Sequence, residues 1–167
     1  TDGSALYVVG EFDTIGGQTR HNIAALDLTT GAATAWNPDA DAYIQTLAVH
    51  GSTVYVGGDF GTAAFRIDGL TSQLTPIATY PFPVSFPDSL AVANYFVFAK
   101  AFDFNTSHST IQVLRIDPSS GALTPTESTG YTASTFGPMA ITKEGDFLYV
   151  GESSKITGYA VSSAGTL

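Results

Sequence analysis

A short motif recurs along the chain at a nearly constant interval, and this repeat restricts the fold more than any other feature. The clearest copies are L-Y-V-V-G-E-F at 6–12, V-Y-V-G-G-D-F at 54–60 and F-L-Y-V-G-E-S at 147–153. Tyr7 and Tyr55 lie 48 residues apart, and Tyr149 follows 94 residues later. A degenerate copy, Y-F-V-F-A-K-A-F at 95–102, lies midway in that longer interval. The chain therefore repeats one structural unit about every 47 residues.

Two further elements accompany each copy of the motif. One element precedes it and reads Q-T-L-A-V-H-G from 45, D-S-L-A-V-A-N from 88 and G-P-M-A-I-T-K-E-G from 137. The other follows it and ends in a turn, as in A-A-L-D-L-T-T-G from 24, F-R-I-D-G-L-T-S from 65 and L-R-I-D-P-S-S-G from 114. Several short alternating strands in a repeat of roughly 41–50 residues are typical of propeller blades. The sequence therefore predicts an all-β fold, a β-propeller of about four blades of four-stranded antiparallel sheet.

The repeat also predicts the blade boundaries. The chain reads as one propeller segment, 1–167, with blade parts at approximately 1–39, 40–83, 84–130 and 131–167. With strands A to D counted outwards from the axis, the order is BCD, ABCD, ABCD, ABC. The first blade lacks strand A and the last lacks strand D, which predicts an incomplete ring or a part of a larger propeller. The start T-D-G-S, without Met, is typical of a mature, processed or excised segment.

An incomplete ring implies partners. The strand at 6–9 would have an unpaired inner edge, and such an edge recruits another strand or aggregates. Apolar sheet faces would also be open to water at both ends. The predicted partners are therefore other protein chains or the remaining blades of a larger ring.

Charge excludes several classes of partner. The formal net charge is −9 and the sequence pI is about 4.3. An acidic surface repels phosphate backbones and anionic headgroups, which argues against nucleic-acid binding and membrane docking. No run of 18 apolar residues occurs, so no membrane insertion is expected. The chain has no cysteine, which excludes a disulfide scaffold and thiolate metal sites.

The motifs resemble two groups of secreted bacterial propellers. Residues 6–60, with Y-V-V-G-E-F, R-H-N-I-A-A-L-D, W-N-P and V-Y-V-G-G-D-F, are similar to the repeats labelled delta-60 or quinoprotein-like. Residues 115–125, R-I-D-P-S-S-G-A-L-T-P, and 144–161, E-G-D-F-L-Y-V-G-E-S-S-K-I-T-G-Y-A-V, resemble YVTN or lactonase-type propellers. The resemblance implies an extracellular or cell-surface propeller. Such folds host scaffolds, binding proteins, lactonases and dehydrogenases, so the fold does not specify the function.

Acidic residues recur at two positions of the repeat. The first set precedes a Thr/Ser-Gly turn, where a carboxylate can cap backbone N–H groups, and comprises Asp27, Asp68 and Asp117. The second set follows strand B, where acids from several blades could gather on one face and attract a cation, and comprises Asp13, Asp59 and Asp103. We expect turn caps for the first set. The second set is a weak candidate for Ca²⁺, and no cofactor is otherwise expected.

The sequence contains no assignable catalytic residue. It has no G-x-S-x-G elbow, no cysteine nucleophile and no phosphate-binding loop. Arg20 and Asn22 are predicted to brace a loop, and Trp36 to pack strand D against the next blade, with sugar stacking as the alternative. The sequence thus favours a non-enzymatic extracellular or cell-surface scaffold or binding module for protein or glycan interaction or assembly. The alternative is a lactonase-like hydrolase or a quinoprotein-like dehydrogenase.

Overall fold

The computed structural model describes residue 3 and residues 5–40, 42–59, 61–67, 74–80, 86–126 and 137–167. Fifteen β-strands and no helix lie in these residues, which confirms the all-β class. All pairings between the strands are antiparallel. The predicted turn acid Asp68 lies outside the described residues.

The strands form four successive sheets and one small hairpin. Sheet 1 pairs β1 (Ala5–Val9) with β4 (Ile23–Asp27), and the hairpin between them consists of β2 (Thr14–Ile15) and β3 (Gln18–Thr19). Sheet 2 contains, in spatial order, β5 (Ile44–His50), β6 (Thr53–Gly58), β7 (Gly61–Ile67) and β8 (Leu74–Tyr80). Sheet 3 contains β9 (Phe86–Ala93), β10 (Phe96–Asp103), β11 (His108–Ile116) and β12 (Leu123–Pro125). Sheet 4 contains β13 (Met139–Ile141), β14 (Phe147–Gly151) and β15 (Ile156–Ala160).

The repeated sequence elements become equivalent strands. The four copies of the tyrosine motif form β1, β6, β10 and β14, and the L-A-V element forms β5, β9 and β13. One expected strand is nearly absent, because strand D of the first unit is reduced to a single bridge between Leu26 and Ala33. The division of the chain into blades at the stated boundaries stays a prediction.

Three apolar layers hold the sheets together face to face. The first layer joins sheets 1 and 2, the second joins sheets 2 and 3, and the third joins sheets 3 and 4. Successive residues of a strand point to opposite faces, so each middle sheet contributes to two layers. In β6, Val54 and Val56 pack towards sheet 1 while Tyr55 packs towards sheet 3. Neighbouring side chains of this strand therefore belong to different layers.

Only the middle sheets have both faces covered in this way. In β14, Leu148 and Val150 are fully buried against sheet 3, whereas Phe147 and Tyr149 are each 44% exposed on the opposite face. At the other end of the stack, Leu6 of β1 is 43% exposed. Within the described residues, the outer face of sheet 4 is therefore exposed, whereas the outer face of sheet 1 combines exposed Leu6 with fully buried Ala24.

Trp36 belongs to the core. It lies between Tyr7 and Phe65 in edge-to-face contacts, with ring centroids 6.3 and 6.2 Å apart, respectively. Only 5% of its surface is exposed. The predicted packing between the first two units is confirmed, and the alternative of sugar stacking is wrong because the ring faces have no access to a ligand.

Hydroxyl groups connect the innermost strands of neighbouring sheets. The Leu90 amide donates a hydrogen bond to Thr46 Oγ1 at 3.1 Å, and the Met139 amide donates one to Ser89 Oγ at 2.9 Å. Thr46 and Ser89 occupy the same place in the repeat, one residue before L-A-V. An inner edge strand has amides that no sheet neighbour pairs, and these hydroxyls satisfy two of them.

Candidate functional site

The turn between β1 and β4 meets the connection from sheet 1 to sheet 2, and three consecutive side chains stabilise this junction. Arg20, only 9% exposed, donates from Nη1 to the Thr19 carbonyl at 2.7 Å and from Nη2 to the Thr34 carbonyl at 2.6 Å. Asn22 Nδ2 donates to the Ala40 carbonyl at 3.0 Å. These contacts give Arg20 and Asn22 the bracing role that the sequence predicts.

His21, the residue between them, pairs with Asp39 of the connecting segment. The His21 Nδ1 atom lies 2.5 Å from Asp39 Oδ1, and the two side chains are 43% and 63% exposed. The hydrogen bond to Asp39 raises the pKa of His21, the charges of Asp39 and Asp13 act in the same direction, and partial desolvation opposes them. The junction therefore holds an imidazole whose protonated form is stabilised.

This pair has the geometry of an acid–base group. A carboxylate on Nδ1 fixes the ring orientation and stabilises the imidazolium ion. Among the described residues, the ring of His21 makes its hydrogen bond through Nδ1. Nε2 is therefore available to exchange a proton with a bound molecule.

A second polar pair lies inside sheet 3, at the same end. The Lys100 ammonium contacts both carboxylate oxygens of Asp88, at 2.8 and 2.7 Å. Lys100 is fully buried, and the side chain of Asp88 is 11% exposed. Burial raises the pKa of the Asp88 carboxyl, and the hydrogen bonds and charge of Lys100 oppose that shift. The pair is too enclosed to contact a ligand directly, so we assign it a structural role.

A break in the repeat marks this pair in the sequence, although composition alone does not reveal it. In sheet 3, Lys100 lies opposite Ser89. The equivalent pair in sheet 2 is Gly57 opposite Thr46. A lysine thus replaces a glycine of the Y-V-G motif. Asp88 is the extra residue of a β-bulge between Pro87 and Ser89, and the bulge places its carboxylate beside the ammonium.

The three weak cation candidates remain tied to their own turns. Asp103 caps the β10–β11 turn, where its carboxylate accepts the Asn105 amide at 2.8 Å and the Thr106 hydroxyl at 3.0 Å. These bonds lower the pKa of Asp103. Asp13 accepts the Arg20 amide through its backbone carbonyl, and Asp59 is exposed in the β6–β7 turn. No three His, Asp or Glu side chains within the described ranges are grouped so that they could hold a metal ion.

The turn acids lie at the opposite end of the sheets. Asp27 Oδ1 accepts the amides of Thr29 and Thr30 at 3.0 and 2.7 Å, and Asp117 Oδ1 accepts those of Ser119 and Ser120 at 2.9 and 2.8 Å. In sheet 4 the same place is taken by the Ser162 hydroxyl, which accepts the amides of Ala164 and Thr166. Ser162 was not among the predicted turn residues, although the motif V-S-S-A-G-T at 161–166 indicates such a turn.

Replacing Asp117 with asparagine is expected to weaken the acid dependence of stability. Hydrogen bonds from the hydroxyls and amides of Ser119 and Ser120 lower the pKa of Asp117 below its ordinary value of 3.8. A group with a depressed folded-state pKa stabilises the fold above its unfolded pKa, and this contribution is lost as the pH falls through the folded value. Urea unfolding from pH 7 down to acid pH should show a smaller loss for Asp117→Asn than for the parent. The exposed control Asp59→Asn should follow the parent, and an equal loss in Asp117→Asn would contradict the cap.

A groove of about 230 Å³ opens at this turn end, between sheets 2 and 3. Its lining combines polar and aromatic groups, including His50, Asn94, Tyr95 and Asp117. Tyr95 is 56% exposed, and burial raises the pKa of Tyr55 in the groove floor. Aromatic faces and planar polar groups of this kind suit a small polar ligand.

Comparison with solved structures identifies the arrangement of the four sheets. A protein assigned as a 6-phosphogluconolactonase from Bacteroides uniformis matches with a TM-score of 0.69 and 16% identity over 96% of this chain and 51% of its own. The periplasmic gluconolactonase PpgL of Pseudomonas aeruginosa matches with a TM-score of 0.61 and 14% identity, over 94% of this chain and 50% of its own. An auxiliary nutrient binding protein from Bacteroides ovatus matches with a TM-score of 0.58 and 14% identity, over 98% of this chain and 37% of its own. The four sheets are therefore arranged as in part of a β-propeller.

The comparisons extend no further than the fold. The chain spans about half the length of the two lactonases and less of the nutrient binding protein. No family model matches the sequence, and no curated protein matches it. The lactonase part of the resemblance is therefore supported, while the delta-60 part has no support. No described segment forms a helix that is long and apolar enough to cross a membrane.

Proposed function

We propose that this propeller acts on a small sugar lactone, with the His21–Asp39 pair as its acid–base group. The observation that carries the proposal is the 2.5 Å contact between His21 Nδ1 and Asp39, which leaves Nε2 available in a fold similar to two lactonases. This function corresponds to the alternative favoured less by the sequence. The periplasmic source of one of these lactonases supports an extracellular or periplasmic location.

The proposed chemistry needs only one imidazole and one water molecule. Neutral His21 accepts a proton from water at Nε2 while the water oxygen bonds to the lactone carbonyl carbon. The ring C–O bond then breaks, and the same imidazolium returns the proton to the leaving oxygen, which yields a hydroxy acid. Asp39 stabilises the imidazolium formed in the first step. Because the pKa of His21 is raised, hydrolysis should increase with pH until the imidazole is neutral.

Hydrolysis of glucono-δ-lactone by the purified chain, followed in a pH-stat against buffer alone, tests this function. We expect His21→Gln to lower the catalysed rate by about 100-fold or more, the usual contribution of a general acid–base group. Asp39→Asn should lower it and shift the pH profile to lower pH. His108→Gln, at the start of β11 and outside both candidate sites, is the matched control and should leave the rate unchanged. A rate equal to buffer, or one that His21→Gln does not change, would refute the assignment.

A second candidate is the non-enzymatic binding module for protein or glycan that the sequence favours. The groove of about 230 Å³ between sheets 2 and 3, with exposed Tyr95 beside polar side chains, supports it, as does the similarity to a nutrient binding protein. Calorimetric titration with neutral saccharides distinguishes the two candidates. Binding that Tyr95→Ala abolishes and His21→Gln leaves intact would favour the binding module.

A further inference from the structure

Acidic side chains outnumber basic ones at the end of the sheets that carries His21. This end holds the turns after β1, β6, β10 and β14, together with the connection to β5 and the start of β9. Its described carboxylates are Glu11, Asp13, Asp39, Asp59, Asp88, Asp103 and Glu152. Two of them act directly on the imidazole, because Asp39 is hydrogen-bonded to it and the charge of Asp13 also raises its pKa.

The basic residues at this end are already engaged. Arg20 is buried, and its guanidinium donates to two backbone carbonyls. Lys100 is buried against the Asp88 carboxylate. Lys155 lies 3.5 Å from Glu152, and it belongs to sheet 4 whereas His21 belongs to sheet 1. An anion bound beside the imidazole would therefore find no cation of the described structure available to it.

The remaining basic residues of the chain lie at the opposite end of the sheets. They occupy two strand ends and the turn after β13, and they are Arg66, Arg115 and Lys143. This separation of charge gives the His21 end a negative potential within the described structure. A surface of one sign repels molecules of the same sign and lowers their local concentration.

We propose that the His21 site selects neutral lactones and rejects phosphorylated ones, with Asp13 as a specificity-determining residue. The inference rests on the proposed hydrolysis and adds the charge of the substrate, which the fold does not decide. A phosphate monoester carries close to two negative charges at neutral pH. Beside the imidazole it would meet the exposed carboxylates of Asp13 and Asp39. A neutral lactone meets no such repulsion.

Asp13 is the residue through which this selection can be changed without changing the fold. Its backbone carbonyl accepts the Arg20 amide at 3.0 Å, which fixes Asp13 next to the turn that carries His21. Its side chain is exposed. Asp13→Asn therefore removes the charge and retains the backbone contact. Asp39 is unsuitable for this purpose because it also orients the imidazole.

Rates of hydrolysis of glucono-δ-lactone and of its 6-phosphate, each corrected for the rate in buffer, test the selection. We expect kcat/KM for the neutral lactone to exceed that for the 6-phosphate by about tenfold or more. Asp13→Asn should lower this ratio about fivefold, because one repelling charge is removed. The ratio is the readout, since any effect on the imidazole alters both rates alike. Glu144→Gln makes the same change of net charge at the turn end, and this matched control should leave the ratio unchanged.

Ionic strength provides a second measurement on the same enzyme. Salt screens repulsion between exposed charges, so kcat/KM for the 6-phosphate should rise with added salt more than that for the neutral lactone. A 6-phosphate rate equal to or above the neutral rate, and abolished by His21→Gln, would overturn the charge selection and leave the proposed hydrolysis intact. Hydrolysis of neither lactone would refute both. A ratio that Asp13→Asn leaves unchanged, or that Glu144→Gln lowers as much, would overturn the role of Asp13.

Discussion

Replacing Asp88 with alanine is expected to lower the free energy of unfolding by about 3–5 kcal/mol, because it leaves a buried ammonium without its partner. Lys100 is fully buried, and its Nζ atom contacts both oxygens of the Asp88 carboxylate. Desolvating both ions offsets most of their attraction, so the intact pair adds little net stability. Removal of one ion has a large effect, since the other then has neither water nor a counter-ion.

Two controls separate charge from packing in this experiment. The double variant Asp88→Leu/Lys100→Met removes both ions, and it should be close to the parent in stability or above it. Asp59→Ala removes an exposed carboxylate and should change the free energy of unfolding by no more than about 0.5 kcal/mol. Urea denaturation provides all four values. A loss below about 1 kcal/mol in Asp88→Ala would mean that the pair is not buried as described.

Replacing Phe98 with alanine should remove about 3–5 kcal/mol from the free energy of unfolding. Phe98 is fully buried in the layer between sheets 3 and 4, where it packs with Ile111, Leu148 and Val150. The loss combines the transfer free energy of the ring with the cavity that remains, because the facing strands cannot collapse into it.

Phe104→Ala is the matched control for this change. Phe104 is 67% exposed and has an edge-to-face contact with Phe102 at 5.1 Å. Such a contact contributes roughly 0.5–1.5 kcal/mol, so the control should lose far less than Phe98→Ala. Circular dichroism measures the whole fold, and fluorescence of Trp36 measures the layer between sheets 1 and 2. Equal losses in the two variants would contradict the layered packing.

The repeat determined where the strands lie and which class of fold they form. Alternating apolar residues can bury one strand face in each of two neighbouring layers, so the Y-V-G and L-A-V elements were recognisable as strands without a structure. The core role of Trp36 followed from its place in the repeat for the same reason. The turn residues were also predictable in kind, since a carboxylate before a Thr/Ser-Gly turn has backbone amides within reach.

Only the tertiary structure decided which polar groups meet. His21 and Asp39 are 18 residues apart and approach each other because the turn after β1 folds against the connection to sheet 2. Lys100 breaks the repeat and is visible in the sequence, but the acid that pairs with it is not, because Asp88 reaches Lys100 only through a bulge. The acids after strand B share one place in the repeat, yet each is held at its own turn. Local periodicity specifies the face of a strand on which a side chain lies. Contacts between sheets depend on register, bulges and loop paths, and these are determined jointly by residues that are distant in the chain.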